Sequence, residues 1–309
     1  MNDKLNHVLS ISQFLDRGKL LEIFRLAEEM ETQSANGTLG RPLEGKILAT
    51  IFYEPSTRTR LSFEAAMERL GGNVISTESA SHFSSAAKGE TIEDTMRIVS
   101  GYADLIVIRH PEVGSAARAA SASSVPVINA GDGTGEHPTQ ALLDAYTVSR
   151  ERGGLDNLRV AFVGDLLNGR TVHSLSTLLA ESKNVTMDFV SPDGLRLPET
   201  YKKLFSEKGV ACAEHADLSG IVSSADVIYM TRIQKERFAS EEDYRKVEHA
   251  YVMDREMLKK CKPDAIILHP LPRITEIAPE IDSDPRAAYF RQAKNGLYVR
   301  MALLKMLLG

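Results

Sequence analysis

Five consecutive residues, Ser56-Thr57-Arg58-Thr59-Arg60, concentrate hydroxyls and two guanidinium groups in one short stretch. Hydroxyls and guanidinium forks are the side chains that hold phosphate oxygens, and Arg58 offers a planar pair of donors that matches two of them. The apolar run Ile47–Phe52 precedes the stretch and reads as a buried strand. Leu61, Ala65, Ala66, Met67 and Leu70 follow at helical spacing, with Pro55 and Ser56 as start signals. The stretch therefore falls where a strand hands over to a helix N-terminus. Unpaired N–H groups and the positive end of the helix dipole make that spot an anion site.

Other chemically capable residues share this kind of position. Arg109, His137-Pro138-Thr139-Gln140, Arg170, Arg232-Ile233-Gln234 and His269-Pro270-Leu271-Pro272-Arg273 each follow an expected strand or open the next helix. In open α/β sheets the carboxyl edge of the strands is where ligands bind. The first half supplies Arg58, Arg60, Arg109, His137 and Gln140, a phosphate-sized positive site with one titratable ring. Arg170, Arg232 and Gln234 supply a second anion site. Two such sites facing across a domain cleft predict two anionic substrates, one carrying phosphate, joined in a group transfer. His137 lacks metal-ligand partners at i+3 or i+4. Held at a helix N-terminus, which favours the neutral ring, it suits donation to a developing oxyanion. Gly164 and Gly169-Arg170 lack the G-x-G-x-x-G spacing of a dinucleotide loop.

Strands alternate with helices along both halves, which predicts two doubly wound, mainly parallel-sheet α/β domains. An amphipathic helix over Gln13–Glu31 opens the chain. Strands are expected at Asn73–Ser76, Leu105–Ile108, Val125–Asn129, Arg159–Val163, Val185–Val190, Val210–Ala213, Ala225–Met230 and Ala265–Leu268. Helices are expected at Ile92–Ser100, Ala141–Ser149, Thr171–Glu181, Pro198–Ser206 and Tyr289–Leu308. The polar, glycine-paired link Glu151-Arg152-Gly153-Gly154 sets the boundary between residues 1–150 and residues 151–288, and a C-terminal helix over 289–309 is expected to return to the first domain. The Ser/Ala-rich stretch from Glu78 to Ala87, closed by Lys88-Gly89-Glu90-Thr91, has no period; it is expected to be a solvated loop, a lid, or an arm reaching a neighbouring subunit.

The chain has 309 residues, 43% of them hydrophobic and 26% charged, and a net charge of -5. That is a globular composition with no basic block for nucleic acid. Two cysteines without CxxC spacing argue against a disulfide framework or a thiolate metal cluster. No run approaches the roughly 20 apolar residues of a membrane span, and the N-terminus lacks a signal pattern, so a cytoplasmic location is expected.

The order and content of these segments resemble the transcarbamylases. Ser56–Arg60 is similar to that family's carbamoyl phosphate signature. The likeness continues through His137–Gln140, Gly164-Asp165 with Gly169-Arg170-Thr171-Val172-His173-Ser174, Met230–Arg237 and His269–Arg273. Pro270, Arg232 and Gln234 place it with the aspartate branch rather than the ornithine branch. The resemblance implies transfer of the carbamoyl group of carbamoyl phosphate to the α-amine of L-aspartate, an early step of pyrimidine synthesis, with no cofactor or metal. It implies that Ser56, Thr57, Arg58 and Thr59 bind phosphate and that Thr59, Arg109 and His137 polarise the carbamoyl oxygen. Gln140 with the Leu271 and Pro272 backbone would hold the amino group. Arg170, Arg232 and Gln234 would hold the aspartate carboxylates. Ser84 and Lys88 match a loop that enters the neighbouring subunit's site, which implies a homotrimer with shared sites and leaves regulatory chains open. Ala87 replaces a family-typical basic neighbour of the lysine. A transcarbamylase for another amino acid, or a non-enzymatic scaffold on the same fold, are the competing readings.

Overall fold

A computed structural model describes residues 5–80, 85–238 and 240–309. The chain divides into two compact units, Met1–Leu143 with Lys294–Gly309, and Asp144–Ala293.

The first unit holds four strands, β1 Ile47–Phe52, β2 Asn73–Glu78, β3 Leu105–His110 and β4 Val127–Asp132. They form a sheet in the order β2-β1-β3-β4, and every pairing is parallel. β4 is buried along its whole length and β1 nearly so, as expected when helices cover both faces of a parallel sheet. The helices are α1 Arg17–Asn36, α2 Thr57–Arg69, α3 Ile92–Val99 and α4 Ser115–Ala122. The expected Gln13–Glu31 helix is two elements. A 3₁₀ turn, Ile11–Phe14, is capped by Ser10, and α1 starts afresh where Asp16 accepts the Lys19 N–H at 2.9 Å. Two competing caps six residues apart break what periodicity alone joins. α4 is short, eight residues, and alanine-rich, and the sequence reading passes over it.

The second unit holds β5 Arg159–Val163, β6 Thr186–Val190, β7 Ala211–His215, β8 Val227–Met230 and β9 Ile266–Leu268. Their order is β7-β6-β5-β8-β9, again all parallel. Between the two units in sequence runs α5 Pro138–Arg152. Within the second lie α6 Arg170–Leu179, α7 Glu199–Glu207, α8 Glu241–Arg245 and α9 Arg255–Lys260, and α10 Tyr289–Leu308 ends the chain. The division of units falls inside α5 and inside α10.

Both sheets use one device to fix the central strand. In the first, Asp104 accepts the Ile47 N–H at 2.9 Å while its own N–H bonds the Ile47 carbonyl at 2.8 Å. In the second, Asp226 does the same to Arg159, at 2.7 and 2.8 Å. A strand pinned at its amino end has its register set, so the residues leaving its carboxyl end arrive in defined places. Among the described residues no helix is long and apolar enough to cross a membrane.

Candidate active site

In each sheet the chain moves outward from the central strand on one side, then crosses to the other. The crossing creates a switch point between β1 and β3 in the first unit and between β5 and β8 in the second. Such points open a crevice at the carboxyl edge, because the loops on either side of it turn away from each other.

At the first switch point β1 delivers Ser56–Arg60 into the start of α2. Ser56 is the N-cap residue but makes no side-chain capping bond, and the first turn of α2 contains no acid. Thr57 and Arg58 are exposed and Thr59 is buried. Arg60 differs from Arg58. It donates to Glu64 at 3.2 Å, to Ser76 at 3.1 Å and to Glu78 at 3.0 Å. The sequence reading counts Arg60 in the phosphate site; the structure commits it to these acids instead. Glu78 also accepts the Ser56 N–H at 3.3 Å, so β2 anchors the start of the loop.

Arg109 stands at the end of β3, opposite Phe52 in register, and its carbonyl accepts the Tyr53 N–H at 2.9 Å. Its Nε lies 3.6 Å from Glu54, a carboxylate absent from the sequence reading. β4 leads through Asp132 to His137 and Gln140. Asp132 accepts the N–H groups of Glu136 at 2.8 Å and Gly114 at 2.9 Å, which folds the turn. Glu136 accepts from Ser10 Oγ at 2.8 Å and from the Ile11 N–H at 2.6 Å, tying the turn to the N-terminal segment. His137 and Gln140 are both buried, and the His137 carbonyl accepts the first N–H groups of α5. Ser56–Thr59, Arg109, His137 and Gln140 thus leave one edge of one sheet. Lys88 ends the 3₁₀ turn Ser85–Lys88 and is exposed, and Ser84 lies outside the described residues.

The second switch point is built from Gly164–Arg170 after β5 and Thr231–Gln234 after β8. Gly164 has φ 119°, and a Cβ there would lie 2.3 Å from the Thr231 carbonyl oxygen, so only glycine lets the two loops meet. Arg170 is partly buried in the first turn of α6. Asp165, fully buried, accepts from the Asn168 N–H at 2.9 Å and from Gln234 Nε2 at 3.4 Å. It joins the loop that carries Arg170 to the loop that carries Arg232, a link the sequence reading did not assign. Arg232 donates through both terminal nitrogens to Glu236, one of them at 3.0 Å. That hydrogen bond holds the Glu236 carboxyl below its ordinary value and raises the guanidinium further.

β9 runs into His269-Pro270-Leu271-Pro272. Leu271 has φ 57° and the Leu271-Pro272 peptide is cis. Arg273, read as an edge residue, pairs with Asp282 and donates to the Tyr289 hydroxyl at 3.1 Å, which holds the far side of this turn. Among the described residues no group of three or more His, Cys, Asp or Glu is arranged to hold a metal ion.

Two family descriptions divide the chain in the same order as these sites. "Aspartate/ornithine carbamoyltransferase, carbamoyl-P binding domain" matches residues 6–150, and "Aspartate/ornithine carbamoyltransferase, Asp/Orn binding domain" matches residues 156–307. The chain belongs to the aspartate/ornithine carbamoyltransferase family. The chloroplastic aspartate carbamoyltransferase of Oryza sativa subsp. japonica is 55% identical over 99% of this chain and 85% of its own length. The aspartate carbamoyltransferase catalytic subunit of Picrophilus torridus is 50% identical over 99% of both. Among solved structures, the catalytic subunit of M. jannaschii aspartate transcarbamoylase superposes with a TM-score of 0.91 at 49% identity, covering 98% of each chain. The Trypanosoma cruzi enzyme in complex with carbamoyl phosphate and aspartate gives 0.93 at 38% identity, covering 98% of this chain and 97% of that one. Within this carbamoyltransferase, then, each switch point falls inside one of the two family domains. Glu54 carries no signal in a single sequence, and Asp165 stands there only as part of a family-like segment, without a role. A buried acid is recognised by the partners that other loops bring to it.

Proposed function

We propose that the chain is an aspartate carbamoyltransferase. It transfers the carbamoyl group of carbamoyl phosphate to the α-amine of L-aspartate and releases N-carbamoyl-L-aspartate and phosphate, an early step of pyrimidine synthesis. The observation that carries this reading is the pair of switch points, each lined by guanidinium groups on a separate α/β unit. A Trypanosoma cruzi relative solved with carbamoyl phosphate and aspartate supports the substrate pair.

In this reading Ser56, Thr57, Arg58 and Thr59 hold the phosphate against the α2 N-terminus. Thr59, Arg109 and His137 point donors at the carbamoyl oxygen. Gln140 and the Leu271 and Pro272 backbone hold the carbamoyl amino group. Arg170, Arg232 and Gln234 take the aspartate carboxylates, and Ser84 and Lys88 come from a neighbouring copy. The free amine attacks the carbamoyl carbon, the new C–N bond forms, and negative charge builds on the carbonyl oxygen. Donors already fixed around that oxygen stabilise the charge; losing one commonly costs about 10²–10³ in rate. The carbon–oxygen bond to phosphate then breaks, and the departing phosphate carries off the amine proton. Fixing both substrates supplies the remaining acceleration by proximity. No cofactor takes part in these steps.

A homotrimer with shared sites, in the cytoplasm, completes the proposal. The Picrophilus torridus relative is named a catalytic subunit, which leaves room for a regulatory chain. The deciding experiment measures product from carbamoyl phosphate with aspartate and, separately, with ornithine on the purified chain. Carbamoyl-aspartate alone is expected. Turnover of ornithine would overturn the assignment of Arg170 and Arg232, because a cationic side chain is repelled there.

A further inference from the structure

The turn that carries Leu271 is built on a histidine and a glutamate to which the reaction scheme above gives no part. Leu271 occupies the left-handed region, φ 57°, where a Cβ crowds the backbone. Its N–H donates to His269 Nδ1 at 2.7 Å. A backbone N–H can only donate, so Nδ1 is a lone pair and the ring proton sits on Nε2. Nε2 in turn donates to Glu276 Oε1 at 2.8 Å. The other oxygen, Oε2, accepts the N–H groups of Ile274 at 3.2 Å and Thr275 at 3.0 Å. Both side chains are buried, 1% and 8% exposed, so water does not compete for these bonds. Burial pushes the Glu276 carboxyl up, but the His269 hydrogen bond and the backbone N–H groups outweigh it, and the net shift is downward. The His269 backbone is fixed as well: its N–H donates to Gln292 Oε1 at 2.8 Å, and Gln292 is anchored to Asp144.

We propose that His269 and Glu276 are positioning residues for the transfer. The carboxylate fixes the imidazole tautomer, the imidazole holds the Leu271 N–H, and the turn keeps its carbonyls aimed at the amino group of the carbamoyl donor. The inference rests on the reading that the Leu271 and Pro272 backbone holds that group. Neither side chain touches substrate. Glu276 is also close enough to raise the Arg232 guanidinium, so replacing Glu276 would disturb two sites at once. The test is therefore placed on His269.

An asparagine reproduces the position of Nδ1, and a glutamine reproduces that of Nε2. His269→Asn keeps the acceptor for the Leu271 N–H, whereas His269→Gln keeps only the contact with Glu276. If the Leu271 bond is what matters, His269→Asn stays within about 10-fold of wild-type kcat and His269→Gln falls about 10²-fold, the usual cost of a 1 Å misplacement. The two thermal midpoints should drop by similar amounts. Equal activity losses that follow the thermal midpoints, or a better glutamine variant, would overturn the proposal. Should either variant fail to fold, nitrogen NMR of histidine-labelled wild-type protein decides. A Nδ1 signal at the unprotonated position with Nε2 protonated supports the relay, and a protonated Nδ1 refutes it. Wild-type chain that forms no carbamoyl-aspartate in the same assay would strike the function reading instead, with the NMR result still ruling on the relay.

Discussion

Arg60 Nη2 donates to Glu78 Oε2 at 3.0 Å, from the first turn of α2 to the last residue of β2. The other Glu78 oxygen accepts the Ser56 N–H, so this pair holds the amino end of α2 against the sheet. Arg58, two residues earlier, is exposed. The two arginines should therefore fail differently. Arg60→Met should cost about 1–2 kcal/mol of stability, since hydrogen bonds to charged groups contribute about 1.5–3 kcal/mol and this pair is partly solvated. Arg58→Ala should lose about 10²–10³ in kcat with little change in urea midpoint. Denaturation and steady-state kinetics on both variants check this, and near-normal turnover in Arg58→Ala would remove it from the phosphate site.

Arg232 is charged at every working pH, as any guanidinium is, and its hydrogen bond to Glu236 raises it further. Arg232→Ala should raise the aspartate concentration needed for half-saturation by about 10- to 100-fold, the equivalent of one or two charge-assisted bonds. Saturation by carbamoyl phosphate should hardly move. Unchanged aspartate saturation in the variant would show that the acceptor site lies elsewhere.

Glu93 on α3 and Arg118 on α4 form a two-pronged pair, at 2.7 and 3.1 Å. The hydrogen bond from Arg118 lowers the Glu93 carboxyl to about 2. A depressed carboxyl adds stability that is fully present above its unfolded value, 4.5, and that disappears as pH falls through about 2. Wild type should therefore have a higher urea midpoint than Glu93→Gln at pH 6, with the gap closing as the pH approaches 2. A gap that stays constant with pH would mean the pair does not contribute through its charge.

If sites are shared between copies, two defects can compensate. Chains carrying Lys88→Ala, mixed with chains carrying Arg58→Ala, should regain partial activity, because some sites then draw intact halves from different chains. The check is activity in mixed oligomers verified by a tag on one chain. Verified mixed oligomers that stay inactive would confine Lys88 to its own surface.

The edge on which the site is built was legible because it depends on order. Strand, polar residues, helix is a pattern that hydrophobic period and glycine placement expose, and Ser56–Thr59, Arg109, Gln140, Arg170 and Arg232 all follow it. Arg60 was misassigned because its partners Glu64 and Glu78 meet it only after β2 has aligned beside β1. The role of Asp165, and Glu276 altogether, stay unread for a related reason: a buried acid looks like any other acid until its donors arrive from the backbone or from another loop. α8 and α9 lie in a stretch the periodicity left unread, being five and six residues long and so too short to show an apolar face.

The first unit contains Lys294–Gly309, and the whole of Asp144–Ala293 lies between these residues and the rest of it. Val299, Met301, Ala302, Leu303 and Leu304 in that returning stretch of α10 are fully buried. During synthesis the first unit therefore emerges without its last segment, and its packing is completed only after the second unit has been translated. The unit whose strands are made first is thus the last to be finished, and the unfinished chain exposes the apolar residues that this segment buries.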